Sequence, residues 1–196
     1  MTTNVLKTAI AMTGIVATPA AMAQAIDISY SGDFPFPGES YVITMAASYG
    51  GGDYAMAGIA TSLLINEVQG GFSDISLLAP MDGPGTSEGV LGAGSIDGII
   101  AGQLNFPIAG IYADPSNPIL FWTATWTYTP DGTGNPVVLD IETQTTRFDV
   151  YVDRTSALSE SRLDELDEGR LVIVIPAPAG GVALLSGLAM ASRRRR

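Results

Sequence analysis

The chain has 196 residues, with 20 Asp and Glu against 9 Lys and Arg, 23 Gly, 12 Pro, no Cys and no His. That length fits one domain with a substantial core. The missing Cys excludes disulfides, thiolate nucleophiles, zinc fingers and iron–sulfur sites, and the missing His removes the commonest general base and metal ligand. Charge is segregated. Lys7 and Arg193, Arg194, Arg195 and Arg196 lie at the ends, while residues 24–175 hold all 20 acids and only four arginines, a net of −16. So acidic a middle argues against a nucleic-acid partner.

Taken in chain order, residues 1–23 read as a signal peptide. Lys7 supplies a weak basic start, residues 8–16 (TAIAMTGIV) form a short apolar run, and Pro19 ends any helix. Small residues Ala21 and Ala23 then occupy the −3 and −1 positions of a cleavage site, which makes Gln24 the new N-terminus. The run is too short to span a bilayer. Signal peptidase is the partner this segment implies.

Residues 24–175 show a two-residue rhythm. Ile26, Ile28 and Tyr30 alternate with polar neighbours, and Tyr41, Ile43, Met45 and Ala47 alternate with Val42, Thr44, Ala46 and Ser48. Residues 56–66 read as a strand because of Gly58 and the Gly-rich turn before them. The cleanest run puts Leu120, Trp122, Ala124, Trp126 and Tyr128 on one side and Thr123, Thr125, Thr127 and Thr129 on the other. Further on, Phe148, Val150 and Val152 face inward, with Arg147, Asp149, Tyr151 and Asp153 outward. Residues 156–166 carry an imperfect helical pattern through Leu158, Leu163 and Leu166, and residues 171–175 (LVIVI) are β-branched. Such alternation fits strands with one wet face, and Gly/Pro-rich turns separate them. The fold expected is all-β: an antiparallel β-sandwich or jelly-roll-like domain, flanked by the signal peptide and a short hydrophobic C-terminal helix.

Little in this domain carries chemistry. Trp122, Trp126 and Tyr128 read as core, the alternative being an aromatic platform for sugar rings. The acidic run Asp164, Glu165, Asp167 and Glu168 and the turn residues Asp53, Asp114 and Asp131 are the places a calcium ion could bind, but no D-x-D-x-D-G spacing occurs. No cofactor is otherwise called for. Paired carboxylates could run glycoside hydrolysis, yet no motif isolates two of the twenty. Serine chemistry lacks a base, since the sole lysine leaves with the signal peptide. The chain reads as a non-enzyme.

Residues 176–196 close the chain. Pro176, Ala177 and Pro178 stop the β-branched run, an apolar stretch follows to residue 192, and Arg193 to Arg196 end it. From Ala177 to Ser192 the apolar piece is 16 residues, short of the ~20 that cross a bilayer, and the arginines would hold its end on the cytoplasmic side. This ordered arrangement resembles the PEP-CTERM sorting signal of bacterial proteins handled by exosortase, with Ala177 in the place usually held by glutamate. Gly180 and Gly181 also resemble the related glycine–glycine signal cut by a rhomboid-type protease. The resemblance implies export, transient anchoring in the inner membrane through residues 179–192, and cleavage near Pro176 and Pro178 by exosortase. Release or attachment to a surface polysaccharide would follow, with a structural or interaction role in the cell envelope or extracellular matrix. In that scheme the processing residues Ala21, Ala23, Pro176, Ala177, Pro178 and Arg193 to Arg196 are recognised and catalyse nothing. A carbohydrate- or calcium-binding module is the competing reading, and a carboxylate-based hydrolase the remote one.

Overall fold

A computed structural model describes residues 24–31, 38–67, 69–129 and 137–175. Eleven strands run through them: β1 (Gln24–Tyr30), β2 (Ser40–Ser48), β3 (Ala55–Glu67), β4 (Gly70–Leu77), β5 (Ser87–Leu91), β6 (Ser95–Gly102), β7 (Ile119–Tyr128), β8 (Val137–Tyr151), β9 (Glu160–Ser161), β10 (Leu166–Asp167) and β11 (Arg170–Ile175). They form two sheets. The first has the order β10-β1-β2-β7-β4 and the second β11-β8-β3-β6-β5, with β9 added to β8. Pairing is antiparallel except between β1 and β10. This is the expected all-β sandwich, and residues 56–66 lie in the expected strand. The only helical pieces among the described residues are two single 3₁₀ turns, Pro107–Ala109 and Leu163–Glu165.

One core fills the space between the sheets. The first sheet contributes Ile43, Met45, Trp122 and Trp126, and the second Met56, Ile59, Leu63, Phe148 and Val150, all fully buried. Burying an aromatic or aliphatic side chain of this size stabilises by about 1.5–3 kcal/mol each. Trp122 also donates through Nε1 to the carbonyl of Glu88, tying the first sheet to β5 of the second at 2.9 Å. The Nε1 of Trp126 is buried without a partner.

Two sequence expectations, on Leu120 and Tyr151, are corrected here. Leu120 does not share the tryptophan face. Met45 pairs with Trp122 but Ala46 with Leu120, so Phe121 is an extra residue in β7. This bulge flips the alternation, burying Phe121 beside Trp122 and leaving Leu120 half exposed. Tyr151 points away from the main core but is not in water, for it is covered by residues 103–113. The helical pattern of residues 156–166 is met by one turn, Leu163–Glu165. There β9 pairs with β8 and β10 with β1, which takes the backbone a helix would need, and Leu158 is left exposed.

Candidate interaction surface

The segment between β6 and β7, residues 103–118, folds back over one end of the second sheet. Two buried amides hold it. Gln103 donates through Nε2 to the carbonyls of Met56 (2.8 Å) and Asp114 (3.1 Å) and accepts from the Asp114 amide (2.7 Å). Asn105 donates through Nδ2 to the carbonyls of Arg154 (3.1 Å) and Ser156 (2.6 Å), and accepts from the Ala113 amide (3.1 Å). Between them the Tyr151 hydroxyl donates to the Gln103 carbonyl and accepts from the Asn105 amide. These amides satisfy the backbone of a segment that belongs to no sheet, which is what lets it sit on apolar ground. The ground itself is Ala55, Ala57 and Tyr151 under Ala113.

The tip is a small ladder. Phe106 and Ile111 exchange backbone hydrogen bonds, Pro107–Ala109 form the 3₁₀ turn, and Gly110 closes it at φ +73°, where a side chain would be strained. Because the backbone is spent internally and the amides point inward, the apolar side chains are left outside. Ile108 is 92% exposed, and Leu104, Phe106, Ile111 and Tyr112 are 45–52% exposed. From Gly98 to Ala113 no residue is charged. Beside the tip runs a shallow groove of about 540 Å³, lined by Leu104, Ile111 and Tyr112, by Pro80, Gly83, Pro84 and Pro115, and by Asp114. The Arg154 guanidinium stacks 4.1 Å over the Tyr112 ring. Contiguous exposed apolar surface of this kind marks an interaction site more often than chance exposure does.

The acids of this end are held ionised. Hydrogen bonds from the Ser116 hydroxyl and amide keep Asp114 below the usual carboxylate range, and Thr155 does the same for Asp153. Tyr49, pinned between Asn117 and the Pro115 carbonyl, is pushed up to about 12, first by burial and then by the charge of Asp114.

The residues singled out from sequence fall elsewhere. Trp122 and Trp126 are fully buried, so neither offers a platform to a sugar. Asp53 is paired with Arg162 at 3.0 Å. Glu168 of the acidic run accepts from the Thr143 hydroxyl and from the amide and hydroxyl of Thr145, fastening the β10–β11 connection to β8. Among the described residues no three acidic side chains gather as a metal site. Neither this groove nor a smaller one of about 210 Å³ between Pro84 and Arg147 brings two carboxylates together. Asp131 and the processing residues Ala21, Ala23, Pro176, Ala177, Pro178 and Arg193 to Arg196 lie outside the described residues, as do the signal peptide and the C-terminal apolar helix. No helix among the described residues is long and apolar enough to cross a membrane. Sequence reasoning passed over residues 104–112. Their signal is an uncharged apolar run interrupted by one amide, Asn105, and preceded by another, Gln103.

No protein-family model matches the sequence, and no curated protein does. Solved structures do. The seventh ScaB type I cohesin from Pseudobacteroides cellulosolvens is 11% identical, with a TM-score of 0.51 over 80% of this chain and 95% of that one. A Clostridium thermocellum OlpA cohesin, solved in a cohesin–dockerin complex, is 13% identical over 74% and 96% of the two chains, at TM-score 0.47. The sixth cohesin of scaffoldin B from Acetivibrio cellulolyticus, in complex with a Cel5 dockerin, is 12% identical over 77% and 97%, at 0.46. At such identity the likeness to the first is one of fold: the sandwich is cohesin-like.

Proposed function

We propose that this protein is an exported, non-catalytic interaction module of the cell envelope, delivered and trimmed through its two terminal signals. The observation that carries the interaction role is the uncharged, exposed apolar surface of residues 104–112 on an otherwise acidic domain. The cohesin-like sandwich supports it, since that fold serves here as a frame on which loops are displayed.

The route rests on sequence. Signal peptidase cuts after Ala23, residues 179–192 and Arg193 to Arg196 hold the precursor in the inner membrane, and exosortase acts at Pro176, Ala177 and Pro178. The mature protein is then released or joined to a surface polymer. Chain direction is compatible with this: β11 runs away from the apolar surface, pairing Ile175 with Val137 at one end of β8 while Tyr151 at the other end touches the 103–118 segment. β8 has 15 residues, so roughly 45 Å separates the two ends at ~3.3 Å per residue. A protein tethered after Ile175 would present residues 104–112 outward.

Mass spectrometry of the mature protein tests the route. A chain beginning at Gln24 and ending near Pro178 is expected, and deletion of Arg193 to Arg196 should leave the precursor unprocessed. Unchanged processing after that deletion would overturn the exosortase reading.

A further inference from the structure

We infer that the surface of residues 104–112 docks a second, different protein that presents an apolar side chain flanked by basic residues. This deepens the interaction role proposed above and rests on it. The surface has two complementary parts: Ile108 and Phe106 project as a knob, and the groove beside them is walled by Leu104, Ile111, Tyr112 and three prolines. A protruding knob needs an apolar hollow on the partner, and the groove takes one apolar side chain in return.

Charge decides what surrounds that side chain. Asp114 lines the groove, Asp82 is exposed next to Gly83 of the same wall, and Asp153 is exposed beside Arg154, whose guanidinium lies on Tyr112. Asp114 and Asp153 accept their hydrogen bonds from neighbouring hydroxyls and amides, which leave the negative charge standing. Asp82, Asp114 and Asp153 thus lie about the apolar centre with the cation of Arg154; Arg147, in the adjoining groove behind Pro84 and Leu104, is paired with Asp149. An apolar centre with a charged rim is the common anatomy of a protein interface, and the rim sets partner choice by charge. Two other occupants are disfavoured by the same acids. A second copy would bring its own Asp82, Asp114 and Asp153 against these on domains each at −16, and an anionic membrane would meet like charge.

The test uses the full chain in the cells that export it, with Ile108→benzoylphenylalanine as a photo-crosslinking variant and Thr125→benzoylphenylalanine, on the outer face of the first sheet, as control. Irradiation is expected to give one adduct with a different protein from position 108 and none from 125. Sequencing should place the crosslink in a partner segment containing Lys or Arg. Adding Asp82→Asn, Asp114→Asn and Asp153→Asn should lower the adduct about tenfold, equivalent to ~1.4 kcal/mol. An adduct at twice the protein's own mass, a lipid adduct, an adduct indifferent to the three substitutions, or none from processed protein would overturn the inference. Processing is read from the same gel, so an unprocessed chain would sink the export reading separately.

Discussion

The outer faces of the two sheets are built from the same alternation and end in opposite conditions. On the first sheet the outward positions of β7 are Thr123, Thr125 and Thr127, half exposed. Their hydroxyls bond sideways, Thr127 to Ser40 at 2.7 Å and Thr123 to the Ile43 carbonyl at 3.0 Å. That face is finished at water: the Thr123 and Thr127 hydroxyls are served within the sheet, and Val42 and Leu120 beside them stand 42% and 52% exposed. On the second sheet the outward positions in the first half of β3 are Ala55, Ala57, Gly58 and Ala60, small residues that leave room. Residues 103–113 occupy part of that room, sealing Tyr151 beneath them and turning five apolar side chains outward. The lesson is that polar outward residues end a sheet at water, whereas small ones invite a further layer, and a further layer carries its own outside.

The contrast can be broken at several depths. Removing what both sheets share should cost most: Trp122→Ala leaves a large cavity and frees the Glu88 carbonyl, and should destabilise by about 3–5 kcal/mol in urea titration. Next comes the clamp that only the second face has. Asn105→Ala strips partners from Arg154, Ser156 and Ala113, and about 2–3 kcal/mol of lost stability is expected. Hydrogen exchange should then accelerate across residues 104–112 while β7 stays protected. Equal protection in both segments would show that Asn105 is no clamp.

A smaller effect follows from pH. Tyr49 keeps its proton in the folded state up to about 12, whereas an unfolded tyrosine ionises near 10. The unfolded chain therefore binds fewer protons in that interval, so stability is complete below pH 10 and falls as pH rises toward 12. Tyr49→Phe should start lower, having lost the bond to Pro115, but should show a flatter decline there. The smallest change belongs to the finished face: Thr125→Gln should alter stability by less than ~0.5 kcal/mol. A larger loss would mean that this face is covered after all.

Much of the sandwich was legible in advance. The runs through Tyr41 and Met45 and through Trp122 and Trp126 announce their inward faces because a strand alternates strictly and apolar side chains must leave water. Leu120 misled because a bulge inserts one residue, and register is fixed by the partner strand, whose paired residues lie 72 to 87 positions away in the chain. Tyr151 misled for a related reason. Alternation states which side of the sheet a residue takes, not whether another segment later covers that side.

The candidate site was least legible. Nothing local in residues 103–113 says that Gln103 and Asn105 are buried, since amides are ordinarily surface residues; only the carbonyls of Met56 in β3 and of Arg154 and Ser156 in the β8–β9 connection, distant in the chain, make them interior. With the amides inside, Ile108 and its neighbours were left outside. Sequence by itself determined the all-β class, the identity of the two-sheet core and the acidic surface, because hydrophobic period and net charge are local and additive. Tertiary structure alone decided where the apolar surface stands, because an aperiodic segment takes its inside and outside from the long-range partners that satisfy its backbone.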